Sequence, residues 1–342
     1  MGLIKADGFD AYTTLSQRWN SSSAGVISTT TPRTGRACWQ SNNGVLKHVF
    51  PTGDAHATFV VGFACWRDTI ATGSGYLYLY GDNGVTHHIT LTINGLGGGD
   101  IRRGTSAGTV LATFPTDTFP QAAWFYGELK VLLSDTVGTV QLRANGNPTP
   151  IVNLTAQDTK NAGTNLTFDS IALLSQGGGS PVWRFDDLYI CNGAGSVNND
   201  FLGDSEVNTL LPIADGPSVA FTPSTGSDHY ALVDEIPPST SDYNTGATDG
   251  DRELYQFTGL TATSGIIRAV ATYPHVAKVG TDPKFIQDTV RIGATDYDAA
   301  SVALGTGFVY VPRIREVSPA TAAAWSVAEV NAARFGVVAK DS

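Results

Sequence analysis

Apolar and polar residues alternate along His87–Ile93, with Ile89, Leu91 and Ile93 on one side and His88, Thr90 and Thr92 on the other. A period of two is the signature of a half-buried strand. Trp124–Leu133 repeats it, setting Leu129 and Val131 against Glu128 and Lys130. Gly75–Tyr80 places Tyr76, Tyr78 and Tyr80 on one face and Leu77 and Leu79 on the other. His56–Trp66 is an apolar run long enough to cross a sandwich, and shorter runs lie at Val45–Phe50, Thr139–Ala144, Phe168–Leu174 and Trp183–Ile190. Turn formers separate them: Ser41–Gly44, Gly81–Gly84, Asn94–Gly99 and Asn145-Gly146. Many short strands at turn spacing predict two packed antiparallel sheets.

The pattern changes after Cys191. Asn192–Asn199 is rich in Gly, Asn and Ser without apolar periodicity, and residues 201–250 hold many turn formers, including Pro237-Pro238. Strands resume at Glu253–Phe257, Gly265–Thr272, Lys284–Ile292 and Phe308–Val311, and Ala320–Phe335 is the one good helix candidate, stopped by Gly336. The predicted organisation is a sandwich over 1–192, a linker over 193–204, and a smaller β-domain over 205–342 with an irregular Pro-rich start and one short helix. The fold class is all-β.

Composition agrees. Charged residues are 15% of the 342, too few to furnish the wet faces of many amphipathic helices. The net charge of −10 leaves no basic stripe for nucleic acid. Most of the acidity lies beyond residue 200, where 9 basic residues face 17 acidic ones. No apolar stretch approaches a membrane span, and Met1–Tyr12 shows no apolar signal-peptide core, so the expectation is a protein that stays soluble where it is made. Cys38, Cys65 and Cys191 are too few and scattered for a disulfide framework and read as buried thiols.

Catalytic chemistry is hard to find. Sugar hydrolases of this architecture carry closely spaced acids on one strand, and the six Glu residues form no such pattern. Asp186-Asp187 and His87-His88 are neighbours on strands, so each pair is expected to point to opposite faces, and no metal set or cofactor motif appears. No Gly-x-Ser-x-Gly elbow is present. The expectation is a protein without catalytic residues, metal or cofactor. The tyrosine row Tyr76, Tyr78 and Tyr80 suits a subunit interface, a core cover or a sugar-stacking strip.

The runs "GFDAY…RW" (Gly8–Trp19), "GRACWQSNNGVLKHVF…TFVVGFACW" (Gly35–Trp66), "WFYGELKVLLSDTVGTVQLRANG" (Trp124–Gly146) and "FDSIALL…WRFDDLYIC" (Phe168–Cys191) resemble the concanavalin A-like lectin/glucanase sandwich of laminin-G type. The stretch from Phe185 to Pro238, with "NDFLGD" in it, and the C-terminal Ser318–Ala339 are similar to structural proteins of tailed bacteriophages. That resemblance implies a non-enzymatic virion component of tail, baseplate, neck or capsid surface. It implies assembly in the host cytoplasm with other virion proteins and with copies of itself, trimers among the options. No nucleic acid or membrane partner is implied. A displayed sandwich would bind host glycan, with Trp39, Trp66, Asp82 and Asn83 as candidate ligand residues on loops at one end. The competing class is a depolymerase of host surface polysaccharide.

Overall fold

The computed structural model describes residues 2–68, 73–177, 182–281 and 283–342. The chain divides into two compact units, Met1–Val207 and Asn208–Ser342.

The first unit is a sandwich of two antiparallel sheets. The eight-stranded sheet runs Val152–Gln157, Gly138–Ala144, Trp124–Leu132, Thr58–Arg67, Trp183–Cys191, Cys38–Gln40 and Val26–Ser28, with Leu3–Asp7 also paired to Trp183–Cys191. The seven-stranded sheet runs Thr109–Phe114, Gly99–Arg103, Thr86–Ile93, Ser74–Gly81, Ser170–Gln176, Val45–Val49 and Ser21–Ser23. Alternation decides what lies between them. Phe59, Val61, Phe63 and Cys65 of one sheet meet Leu77, Leu79, Ile89, Leu91, Ile171 and Leu173 of the other in a single buried core. Each such side chain contributes about 1.5–3 kcal/mol on leaving water.

Of the bulges that break the alternation, two bear on the candidate residues. Between Leu79 and Tyr80 the pairing with Thr86–Ile93 slips by one residue, so Tyr80 faces His87. His88 therefore turns toward the core, its ring 6.0 Å from that of Phe168, and His87 joins the tyrosines outside. The expected placement of His88 with Thr90 and Thr92 is corrected by this bulge. The second lies between Asp186 and Tyr189, where Asp187 takes a φ of 46°. Asp186 and Asp187 consequently serve one loop. The carboxylate of Asp186 accepts the Arg33 N–H at 2.9 Å, and that of Asp187 accepts the Arg33 guanidinium at 2.8 Å. Strict alternation fails at both pairs for the same reason.

The second unit is built on a six-stranded antiparallel sheet, Pro212–Val219, Arg252–Phe257, Arg334–Lys340, Phe285–Ile292 and Thr295–Asp298, with Val302–Ala303 also paired to Phe285–Ile292. Gly336 sits in its centre because a Cβ there would collide with the Glu253 carbonyl. The helix is much shorter than the sequence suggests. It spans Val327–Ala332, is capped by the Ser326 hydroxyl accepting the Glu329 N–H at 3.1 Å, and yields at once to the strand Arg334–Lys340. Pairing on both sides outweighs helix propensity there. Its core is small, formed by Val290, Trp325, Val330, Ala333 and Phe335.

Candidate functional site

The outer faces of the sandwich carry their own side-chain clusters, and on the seven-stranded sheet Tyr78 and Tyr80 are each only 9% exposed within one of them. On the seven-stranded sheet the tyrosines stand in a row, with Tyr76–Tyr78 and Tyr78–Tyr80 ring centroids 5.7 and 6.0 Å apart. Register places Thr92 and Leu174 beside Tyr76, and Thr90 and Ala172 beside Tyr78. Thr90 and Ala172 are fully buried and small, so the face dips at Tyr78. Beyond them in the same row stand Arg102 on one side and Lys47 on the other.

Internal contacts hold this row. His87 stacks on Tyr80 at 4.1 Å and meets Tyr78 edge-on at 4.5 Å. Lys47 Nζ lies 4.3 Å from the Tyr80 ring centre and donates to the Gly84 carbonyl. Arg102 donates through Nε and Nη2 to Asp100 at 3.0 and 2.7 Å and through Nη1 to the Gly108 carbonyl at 3.1 Å. Burial, with Lys47 and His88 nearby, pushes His87 down to about 4, so it is neutral near pH 7. Burial likewise raises the phenols of Tyr78 and Tyr80, which remain hydrogen-bond donors. The face is therefore aromatic and rich in hydroxyls, and its Arg102 and Asp100 neutralise each other.

Asp82 and Asn83 form the hairpin tip at the edge of this face, both with positive φ. Buried Asp169 accepts the Asn83 and Gly84 N–H groups at 2.7 and 3.0 Å, and Asp82 accepts the Thr86 hydroxyl at 2.6 Å. Those carboxylates shape the turn. Trp39 has no exposure and stacks on Phe185 in the core at 5.4 Å, so it offers no surface to a ligand. Trp66 is half-buried on the outer face of the other sheet, with the Arg184 guanidinium 4.3 Å from its ring centre. The candidates do not converge on one site.

That other face is occupied by the chain itself. Residues 200–207 lie across it. Asp200 pairs with Lys130 at 2.9 Å, and Phe201 lies under the Arg143 guanidinium at 3.9 Å. Leu202 N–H donates to the Tyr189 hydroxyl at 3.0 Å, Gly203 N–H to Glu128 at 2.8 Å, and Val207 N–H to Asp187 at 2.8 Å. Gly62 makes the site possible, since a Cβ there would strike the Tyr189 ring. Desolvation raises Asp186 to about 8 and Asp10 to about 6 in this network. The strap's role and the convergence of these acids carried no sequence signal, because the partners lie 13 to 154 residues apart.

The three cysteines are buried, with the Cys38 thiol pushed up to about 12 by burial and by Asp186. Among the described residues no cluster of three or more metal-binding side chains occurs, and no helix is long and apolar enough to cross a membrane.

No family model matches the chain, and no curated protein does. Solved structures do. A glycosyl hydrolase family protein from Mycobacterium fortuitum aligns at 11% identity and TM-score 0.38, covering 56% of this chain and all of that one. Basic winged bean lectin aligns at 10% and 0.34, covering 55% of this chain and 98% of the lectin. Trypanosoma rangeli sialidase aligns at 12% and 0.36, over 56% of this chain and 30% of the enzyme. These likenesses concern the sandwich fold. They also correct one expectation. The expectation of a protein without enzymatic activity does not stand, since a glycosyl hydrolase family protein and a sialidase are among the structures it is similar to.

Proposed function

We propose that the N-terminal sandwich binds carbohydrate across the outer face of its seven-stranded sheet. The carrying observation is the tyrosine row flanked by Thr92, Arg102 and the His87 ring, on a face that the strap of residues 200–207 does not cross. Sugars present apolar C–H faces and a rim of hydroxyls, so aromatic edges beside hydroxyl, imidazole and guanidinium groups suit them. In the phage setting that the sequence resemblance implies, the ligand is a glycan of the host surface. The proposal covers binding with or without cleavage of the bound chain.

The test is a glycan array on the intact chain, followed by calorimetry and reducing-end release on the best ligands. Tyr76→Ala and Tyr78→Ala are expected to weaken binding at least tenfold while the protein stays folded. Binding that ignores both substitutions, or no binding to any saccharide, overturns the proposal. Release of reducing ends assigns cleavage to the domain as well.

A further inference from the structure

The outer face of the eight-stranded sheet carries an arrangement that the strap does not satisfy. Trp124, Trp66 and Arg184 stand in one cross-strand row, on three adjacent strands, with Gln40 next to Arg184. Arg184 is only 8% exposed, yet its Nε and Nη1 have no hydrogen-bond partner among the described residues. Its guanidinium lies against the face of Trp66, 4.3 Å from the ring centre. Trp124 Nε1 is also buried without a partner. The nearest acid along the strand is committed elsewhere, since Asp186 accepts backbone N–H groups of Arg33 and Asp187. The amide of Gln40 donates to Asn42 at 2.9 Å.

A guanidinium held out of water with donors unmade is costly, and fold stability alone gives no reason to keep it. Packing on an indole fixes its plane and leaves the edge donors free for a forked acceptor. Arg, unlike Lys, matches two oxygens at once.

We infer that the Trp66–Arg184 row is an anion-binding site that takes a carboxylate or another small oxyanion through the Arg184 edge. The site stands on a different sheet from the carbohydrate face and does not depend on it. Trp66 and Trp124 supply an optical reporter.

The experiment titrates the intact chain with sodium acetate, sodium glucuronate, sodium sulfate and sodium phosphate at constant ionic strength. Tryptophan fluorescence and the thermal midpoint are followed, with glucose and sodium chloride as controls. Saturable quenching and a raised midpoint with at least one oxyanion, absent with glucose and chloride, are expected. Glucuronate binding at least tenfold tighter than acetate identifies an acidic sugar as the source of the carboxylate. Sulfate or phosphate as the tighter ligand identifies an ester group instead. Arg184→Met, which keeps the packing on Trp66, is expected to remove the response, and Tyr78→Ala to leave it intact. If no oxyanion produces a saturable response in the wild-type chain, the inference fails without reference to any variant. It fails equally if folded Arg184→Met responds as the wild type does. Should Arg184→Met not fold, Arg184→Lys takes its place, with at least a tenfold loss of affinity expected.

Discussion

The two outer faces of the sandwich share one backbone geometry but differ in how their polar groups are satisfied. On the eight-stranded sheet, Glu128, Tyr189 and Asp187 are buried and find partners in residues 202–207, which cross over them. On the seven-stranded sheet the charged groups Arg102 and Lys47 settle with neighbours on the same face, Asp100 and the Gly84 carbonyl, while His87 Nε2 is buried without a hydrogen-bond partner among the described residues. The part of the eight-stranded face around Glu128, Tyr189 and Asp187, whose groups need a distant segment, is committed to structure, whereas the Trp66–Arg184 row beyond it is not satisfied by that segment. The seven-stranded face needs no distant segment for its charged groups, and so can remain uncovered by the strap.

The largest effect is expected where the strap is tied down. Asp187→Ala removes the fully buried acceptor for Arg33, Thr34 and Val207 at once, leaving the Arg33 guanidinium only the more exposed Asp204 and the Ser205 carbonyl. A loss of about 3–5 kcal/mol is expected from breaking such a pair, read from urea denaturation of the intact chain. A loss below about 1 kcal/mol, the size of an exposed pair, would mean the strap is not held here.

Next comes Tyr78→Ala on the open face. Tyr78 is 9% exposed and packs against Tyr80, His87 and Tyr76. About 2 kcal/mol of stability is expected to go with the ring. The contrast between faces is sharpened if saccharide binding falls with Tyr78→Ala but not with a strap variant such as Glu128→Gln.

The acids beneath the strap give a pH signature. Asp186 is raised from its ordinary value to about 8 and Asp10 to about 6, chiefly by desolvation. A carboxyl group raised on folding binds more protons in the native state than in the unfolded chain. Its contribution is thus complete below the unfolded pKa near 4 and is lost as pH rises toward the folded value. Stability is expected to fall by about 1–3 kcal/mol between pH 5 and pH 8, and Asp186→Asn to flatten that slope. Midpoints in urea at pH 5, 6.5 and 8 check it, and a rise toward pH 8 would contradict the burial of these acids. The open face should behave otherwise. His87, lowered to about 4, stays neutral from pH 6 to 8, so saccharide binding there is expected to be flat across that range.

How much of this was legible follows from the range of each interaction. The strands came from period-two patterns such as Leu129 and Val131 against Glu128 and Lys130, and the tyrosine row from Gly75–Tyr80, because alternation is local. The facing of His87 was not legible, since a one-residue bulge leaves no mark in composition. Nor was the convergence of Asp186 and Asp187 on Arg33, which depends on one left-handed residue and a loop 153 residues away. The stretch read as linker supplied the strap's first residues, because Gly- and Asn-rich chain with exposed backbone N–H groups can cap buried acceptors as readily as it can hang free. Trp39 and Trp66 looked alike in sequence. One fell on the inner face and the other on the outer, as strand parity dictates once register is known.

The smallest effect concerns the hairpin tip. Asn83 is exposed with φ of 58°, and its side chain is not what holds the turn; its N–H is, through Asp169. Asn83→Gly keeps that N–H and accepts the left-handed backbone without strain. A stability change within about 0.5 kcal/mol is expected, and no change in saccharide affinity if the sugar lies along Tyr76 and Tyr78. A tenfold loss of binding in Asn83→Gly with unchanged stability would move the site from the sheet face to the loop end, and would make the openness of the face irrelevant to recognition.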